Sequence, residues 1–393
     1  MPFALYLLGL AVFAQGTSEF MLSGLLPDIA AELGVSIPLA GTLTSAFAVG
    51  MIVGAPATAL LARRWSRRSA LTVLLGTFLL AHVIGALTPH FGILLATRVI
   101  GALANAGFLA VALVAASAMV GPESRGRATA VLLGGTTLAC VVGVPAGAML
   151  GQLWGWRSAF WAVALLCVPA LLAIARSVPA EGGDTTTRPR NAWSEARALR
   201  GPRLLVTLLV CALANGAMFC GFTYLAPVVT DVTGLAPAAI PILLALFGVG
   251  SFAGVVLAGR LSDTRPGPVV AVCGTGAATG WSLLALTAGS APATVVLVLA
   301  LGTLSFAVGS TLITRALRTA GGEAPTLAGA FAVAALNVGA ALGPWLGGTV
   351  LTAGYGYRAP LWTSALLTAL ALLTALATPE PAARRCAPAP DRA

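Results

Sequence analysis

A single acidic residue, Glu19, interrupts the first long apolar stretch of the chain, which runs from Phe3 to Leu26. On a helix, Gln15, Glu19 and Ser23 lie four residues apart and would form one polar stripe on an apolar surface. A carboxylate at membrane depth costs roughly 2.5–3.5 kcal/mol on insertion scales, and such acids commonly mark ion pathways. The spacing therefore favours a proton carrier that faces an internal cavity. The alternative is a structural polar residue bonded to a neighbouring helix.

A second charged residue, Arg98, lies inside the fourth apolar stretch at a depth similar to that of Glu19. Both are roughly 10 Å from the same end of their helices at the helical rise per residue. An arginine lowers the proton affinity of an acid when it is close and raises it when it is displaced. We therefore predict that Glu19 and Arg98 form a proton-coupling pair, in contact directly or through water. The alternative is a static buried ion pair that specifies packing.

The second half of the chain repeats the first at an offset of 200 residues. Pro27, Gly34, Gly50 and Gly54 recur as Pro227, Gly234, Gly250 and Gly254, and Gly155-Trp156-Arg157 recurs as Gly356-Tyr357-Arg358 at an offset of 201. Several features that keep one offset over more than a hundred residues predict a parallel duplication of one structural unit.

This repeat replaces Glu19 by Phe219, while Gln15 becomes Asn215. A purely architectural acid would be equally useful in both halves, whereas a proton site is needed once. We predict a central substrate cavity between the halves. Its wall, assigned from helical faces, includes Glu19 and five predicted substrate-binding residues: Gln15, Asn105, Asn215, Phe219 and Asn337.

The composition restricts the class of protein. Of the 393 residues, 58% are hydrophobic and 9% are charged, whereas soluble proteins carry about 25% charged residues. The six scattered cysteines and two histidines show no metal-binding spacing, and we interpret His82 and His90 as a packed helix residue and a loop residue. No cluster has catalytic spacing. We therefore expect an integral membrane protein that is not an enzyme and has no metal or cofactor.

Apolar runs long enough to cross a bilayer recur twelve times. Their predicted positions are about 4–26, 39–61, 70–88, 92–118, 128–151, 159–177, 204–226, 238–258, 269–289, 293–314, 326–352 and 360–378. This predicts an all-α membrane protein with two six-helix bundles. The predicted divisions are a first bundle (1–178), a linker (179–203), a second bundle (204–378) and a tail (379–393).

The arginines fall almost entirely on one side of these spans. All but Arg98, Arg157 and Arg358 follow even-numbered spans or lie in the linker or the tail. The positive-inside rule then predicts that both termini are cytoplasmic. The net charge of +10 is explained by this placement and does not indicate nucleic-acid binding.

Two stripes of glycine with proline predict close helix packing in spans 5 and 11. Such stripes let another backbone approach closely, and proline weakens the helix ladder. We predict that they also form the rocking contacts between the halves. The stripes comprise Gly143, Pro145, Gly147, Gly151 and Gly155 in span 5, and Gly339, Gly343, Pro344 and Gly347 in span 11.

Two motifs resemble those of the twelve-helix drug:proton antiporters of the major facilitator superfamily. Gly143-Val144-Pro145-Ala146-Gly147 resembles the antiporter signature of helix 5, and the stretch 59–68 resembles the loop motif G-x-L-A-D-R-x-G-R-R. Arg63 stands where that motif has its Asp, whereas the second copy keeps an acid at Asp263. The resemblance therefore implies a gating role for Asp263. Arg98 matches the helix 4 arginine of the family.

The stretch from Ala14 to Ala30 and the whole layout resemble chloramphenicol-resistance exporters of actinobacteria. The resemblance implies proton-coupled efflux of chloramphenicol and related phenicols across the bacterial inner membrane. The implied partners are the drug, protons and lipid, and we expect a monomer driven by the proton motive force. The alternatives are a sugar or multidrug exporter of the same superfamily, an intramembrane enzyme or a channel.

Overall fold

The computed structural model describes residues 2–61, 65–177, 201–262, 266–319 and 325–377. The described residues contain no β-strand. Short π-helical turns occupy Ala139–Gly143 and Val228–Val232. The helices in chain order are α1 (Phe3–Phe20), α2 (Leu22–Glu32), α3 (Ile37–Leu61), α4 (Arg67–Leu87), α5 (Phe91–Ala118), α6 (Arg125–Leu138), α7 (Val144–Trp154), α8 (Trp156–Ser177), α9 (Pro202–Thr223), α10 (Ala239–Ser262), α11 (Pro266–Thr287), α12 (Ala291–Thr319), α13 (Pro325–Thr352) and α14 (Ala359–Leu376).

Twelve helical stretches in these ranges are long and apolar enough to cross a membrane. The stretch Arg125–Trp154, which contains α6, a π-helical turn and α7, counts as one of them. Large apolar side chains such as Leu80, Leu165 and Val272 are more than half exposed on the outer surface, as a lipid environment allows. The prediction of an all-α membrane protein with twelve spans is confirmed.

The helices pack in the same order in both halves. In the first half α1 contacts α6 and α8, α3 contacts α5, and α4 contacts α5 and α8. In the second half α9 contacts α13 and α14, α10 contacts α12, and α11 contacts α12 and α14. These are the same five pairs under the 200-residue offset, so the sequence repeat corresponds to a repeat of packing.

Two repeated glycine pairs explain how this packing is conserved between the halves. Gly50 faces the backbone of α5 at Val99, and Gly250 faces the backbone of α12 at Leu299. Gly54 and Gly254 make the next contact along the same helix pairs. Without a side chain at these positions, the two helix backbones approach closely.

Several contacts between the halves lie at one end of the molecule. We call the end near Phe3 and Leu376 the terminal end, and the opposite end the distal end. Across the halves α3 packs against α13, and α7 packs against α10. Gln152 Nε2 also donates a hydrogen bond of 2.6 Å to the carbonyl oxygen of Pro237, between the distal ends of α7 and α10. The described contacts between the halves therefore close the distal end.

The first span is divided at Met21, between α1 and α2. Pro27 inside α2 has no N–H group to donate to the carbonyl of Ser23, which weakens the helix ladder there. The hydroxyl of Ser23 instead donates to the carbonyl oxygen of Phe20 at 2.8 Å. The Ser23 hydroxyl therefore bonds across the joint between the two helices, and its place in a polar stripe with Gln15 and Glu19 stays a prediction.

The predicted divisions of the chain fall partly outside the described residues. Of the linker 179–203, only the last three residues are described, and the tail 379–393 lies wholly outside. In the first half, one apolar core cluster extends from Leu5 to Ile174 and contains no residue of the second half. The three boundaries between the four divisions remain a prediction.

Candidate functional site

Glu19 is the penultimate residue of α1, and its side chain is partly exposed. It forms no hydrogen bond or ion pair with any residue that the structure describes. Arg98 interacts with it electrostatically, and Cys140 of the π-helical turn lies near it. The carboxyl group can therefore gain or lose a proton without breaking a hydrogen bond to a described residue.

Arg98 is fully buried, and its guanidinium group is held by a serine of α1. Nη1 donates to Ser18 Oγ at 2.7 Å, and Nη2 donates to the Ser18 carbonyl oxygen at 2.8 Å. The guanidinium carbon lies 4.3 Å from the ring centroid of Phe47, which is a cation–π contact. Because Arg98 is bonded to Ser18, a static ion pair with Glu19 is not present in this structure.

His82 extends this contact into a hydrogen-bonded chain. Its Nε2 lies 2.7 Å from Ser18 Oγ, and its Nδ1 lies 2.8 Å from the carbonyl oxygen of Phe78. A carbonyl oxygen can only accept, so Nδ1 carries the proton and Nε2 of the neutral ring accepts from the Ser18 hydroxyl. The sequence predicts His82 only as a packed helix residue and does not indicate Ser18. The signal was an ionisable residue inside an apolar span.

Gln15 lies one helical turn from Glu19 and is 1% exposed. Neither its amide nitrogen nor its amide oxygen has a hydrogen-bond partner among the described residues. A buried polar group left without a partner costs about 1–3 kcal/mol. The amide is therefore available to a ligand or to another conformation of the protein.

The three asparagines predicted to bind substrate have different surroundings. Asn105 is buried in α5, two turns from Arg98. Asn215 Nδ2 donates to the carbonyl oxygen of Leu336 at 2.7 Å, and Asn337 Nδ2 donates to Val333 on its own helix at 3.0 Å. The nitrogens of Asn215 and Asn337 are thus bonded to the backbone of α13, and their oxygens remain available.

Phe219, the repeat partner of Glu19, is buried in an aromatic cluster that connects the halves. Its ring stacks on Phe20, the neighbour of Glu19, with centroids 5.5 Å apart. Phe20 also contacts Phe222, which packs on Phe247 at 4.5 Å, and Phe247 contacts Phe306. Of these five rings, only Phe219 is predicted from the sequence, because the convergence of the rings depends on tertiary packing.

In this conformation the stripe glycines face helices of their own half, and their role as rocking contacts between the halves stays a prediction. In α7 and the turn before it, Gly143 faces Thr17, Gly147 faces Met21 and Gly151 faces Leu25, all on the first span. In α13, Gly339 and Gly343 face the backbone of α9. These small residues bring neighbouring helices of one bundle together, whereas other faces of α7 and α13 contact α10 and α3 of the opposite half.

Different glycines form the contacts between the halves. Gly24 lies against Leu244, and Gly248 lies against the backbone of Cys140 and Val141. These positions have no common spacing, and sequence analysis did not single them out for this role.

Tyr224 forms a further contact at the distal end. Its fully buried ring lies against Gly41 of the first half and against Gly347 and Gly348 of α13. Its hydroxyl donates to the carbonyl oxygen of Pro344 at 2.7 Å. Pro344 therefore contributes an acceptor next to the contact between the halves.

Two further predictions concern gating residues and metals. Pro145 lies at the start of α7, directly after the π-helical turn Ala139–Gly143, so the helix is irregular where the proline was predicted to weaken it. Asp263 lies outside the described residues. Within the described part of the chain, no group of three or more His, Cys, Asp or Glu side chains could hold a metal ion.

Comparison with known proteins places these features in a family. The model of the Major Facilitator Superfamily matches residues 8–336. A chloramphenicol resistance protein of Streptomyces lividans is 55% identical over 376 residues, which are 95% of this chain and 96% of the relative. A chloramphenicol efflux pump of Mycobacterium tuberculosis is 34% identical over 354 residues, which are 88% of this chain and 84% of that protein.

One solved structure has a closely similar fold. It is a bacterial homologue of the human lysosomal transporter Spinster, in an inward-facing and unoccupied conformation. The TM-score is 0.75 at 19% sequence identity, and the match covers 95% of this chain and 94% of that one. At this identity the likeness bears on the fold alone.

Proposed function

Because this chain belongs to the Major Facilitator Superfamily, we propose that it exports chloramphenicol and related phenicols across the bacterial cytoplasmic membrane in exchange for protons. Two relatives that each cover most of the chain are a chloramphenicol resistance protein and a chloramphenicol efflux pump. The observation that carries the proposal is the position of Glu19, an acid without a hydrogen bond or ion pair among the described residues, next to a cluster of aromatic rings between the halves.

The site has groups for both parts of the exchange. A nitroaromatic ring can stack on the rings of Phe20 and Phe219, while the amide of Gln15 can bond its polar substituents. Glu19 takes up a proton from outside and releases it inside, and Arg98 influences this exchange through its charge. The transporter needs no metal or organic cofactor for this cycle, and we expect it to act as a monomer.

The positive-inside rule supports a cytoplasmic location for the terminal end, and hence for both termini. The contacts between the halves that close the distal end then support an inward-facing conformation. Glu19 lies on the terminal side of the Phe20–Phe219 stack, so in this conformation it would be reached from the cytoplasm.

The proton gradient supplies enough free energy for this export. One proton that enters down a potential of 100 mV provides about 2.3 kcal/mol. About 1.4 kcal/mol corresponds to a tenfold concentration ratio, so one proton can support a drug gradient of more than tenfold. Because an uncharged drug leaves as one proton enters, export is expected to be electrogenic.

The test uses purified protein in proteoliposomes with an acidic lumen, in which proton exit should drive accumulation of radiolabelled chloramphenicol. We expect accumulation to disappear with a protonophore and to respond to membrane potential. Glu19→Gln should bind the drug but not concentrate it. The control is Glu123→Gln, because Glu123 is an exposed acid in the turn between α5 and α6.

Uphill accumulation by Glu19→Gln would exclude Glu19 as the proton carrier. Transport that is indifferent to membrane potential would exclude exchange of one proton for an uncharged drug. Resistance profiles in a sensitive host test the substrate: protection confined to phenicols supports the proposal, and protection against unrelated drugs or sugars alone contradicts it.

A further inference from the structure

We propose that Ser18 and His82 are positioning residues that hold the Arg98 guanidinium away from Glu19 and thereby set how readily this acid takes up a proton. This inference deepens the proposed function and rests on it for the role of Glu19. The chain of contacts from Arg98 through Ser18 to His82 connects α5, α1 and α4 inside the first half.

Ser18 and Glu19 are consecutive residues of α1, so their side chains point about 100° apart around the helix. Both terminal nitrogens of Arg98 are bonded to Ser18, one to the hydroxyl and one to the carbonyl oxygen. The guanidinium group is therefore anchored on the face next to Glu19 and not on the acid itself. Its third nitrogen, Nε, has no hydrogen-bond partner in the described part of the chain.

His82 determines the direction of the Ser18 hydroxyl. In a helix, a serine or threonine hydroxyl commonly donates to a backbone carbonyl of the preceding turn, as Thr17 does to the carbonyl oxygen of Phe13 at 2.8 Å. Ser18 instead donates to His82 Nε2, which leaves its oxygen lone pairs for Arg98. The carbonyl of Phe78 fixes the tautomer of the imidazole ring.

Loss of the Ser18 hydroxyl removes one of the two hydrogen bonds that hold the guanidinium group, and loss of His82 lets that hydroxyl turn, while the bond to the backbone carbonyl remains. The guanidinium group is then free to pivot about the remaining bond. The attraction between opposite charges then draws it to the nearby carboxylate, and an ion pair favours the deprotonated acid. No other described element packed around the site adds a charged group: α3 and α8 contribute Phe47 and Phe160. The titratable or charged side chains at the site are Glu19 on α1, His82 on α4, Arg98 on α5 and Cys140 in the π-helical turn.

The experiment measures the protonation of Glu19 without any drug. The infrared band of a protonated carboxylic acid is titrated with pH in the purified full-length protein, and the Glu19→Gln spectrum identifies the band. In Ser18→Ala and His82→Phe we expect the midpoint to shift by about one pH unit towards acid. His82→Gln should stay close to the original midpoint, because its amide oxygen can accept from the Ser18 hydroxyl.

The matched control is His90→Phe, since His90 is the exposed histidine between α4 and α5. This variant should leave the midpoint unchanged. The pH midpoint of chloramphenicol accumulation in proteoliposomes should shift in the same direction as the infrared midpoint.

Unchanged infrared midpoints in folded Ser18→Ala and His82→Phe proteins, as judged by thermal melting, would overturn the inference. An equal shift in His82→Gln and His82→Phe would exclude the hydrogen bond as the cause. If Ser18→Ala does not fold, the comparison of the two His82 variants still decides the question. A wild-type protein that does not accumulate chloramphenicol would contradict the proposed function alone, because the infrared titration contains no drug.

Discussion

At the scale of single residues, the stacked rings of Phe20 and Phe219 bound the site on its distal side. One ring belongs to each half, so the pair can exist only while the halves meet at this level. When the halves separate there, both ring faces become available to a flat aromatic ligand. Glu19 and Phe20 are neighbours in the chain at the end of α1. Proton binding to the acid and drug binding to the ring would therefore both act on the joint between α1 and α2.

We predict that Phe219→Ala raises the drug concentration for half-maximal transport by about three- to tenfold, because an aromatic pair contributes about 0.5–1.5 kcal/mol. Phe219→Tyr keeps the ring and should remain close to wild type. Initial rates over a range of chloramphenicol concentrations measure the effect. Phe252→Ala is the control, since Phe252 is half exposed on the outer surface of α10. An unchanged half-saturating concentration in Phe219→Ala would remove this ring from the drug site.

The two charged residues of the site could be found from the sequence, whereas their partners could not. Glu19 and Arg98 stand out because a charge in an apolar span has a high cost. His82 is also an ionisable residue in an apolar span, but nothing in the sequence connects it with Ser18, and the two meet only because α1, α4 and α5 converge. Ser18 is 64 residues from His82 and 80 from Arg98, a separation that no local pattern specifies.

At the scale of helices, the glycine stripes differ in how closely they bring backbones together. Gly343 lies against the backbone of Gly216 and Cys220, so any added side-chain carbon would collide with main-chain atoms. At Gly147 the nearest atom to an added carbon is the side-chain Cβ of Met21 at 3.5 Å, which is ordinary contact. The spacing of glycines predicts close packing but does not say which helix is approached, because that depends on the order of helices in the bundle.

We predict that Gly343→Ala lowers the stability of the second half by about 1–3 kcal/mol, because overpacking against a rigid backbone forces the helices apart. Gly147→Ala is the matched variant and should be nearly neutral. Thermal melting of the purified proteins in detergent compares the two. Equal melting temperatures would contradict the assignment of Gly343 to the contact between the backbones of α9 and α13.

At the scale of the whole molecule, the halves meet at α3 with α13 and at α7 with α10, and the Gln152 and Tyr224 contacts lie at the distal end. The repeat relates α3 to α10 and α7 to the last part of α13. Each of the two helix pairs is therefore the counterpart of the other, as the sequence duplication predicts. The residues that form the contacts do not follow from the repeat. Gly248 lies against the backbone of Cys140, a contact that holds only while this end is closed.

We predict that Gly248→Ala shifts the population towards a conformation that is open at the distal end, because the added methyl group would collide with main-chain atoms of the opposite half. Spin labels at Ser36 and Ser290, exposed distal positions of the two halves, measure the distance between the halves. The distribution should contain more of the longer distances than in the wild type. Gly259→Ala is the control, since nothing lies within 4 Å of a carbon added there. An unchanged distribution in Gly248→Ala would contradict the tight contact.

The distal contact made by Tyr224 has an evolutionary consequence. Its counterpart in the first half, 200 residues earlier, is Gly24, which has no ring to insert. The ring of Tyr224 packs against Gly41 of the first half, which has no side chain and leaves room for it. An ancestor assembled from two identical units would have carried this ring in both halves or in neither. The seal at this end must therefore have been refined after the gene duplication, by divergence of one copy from the other.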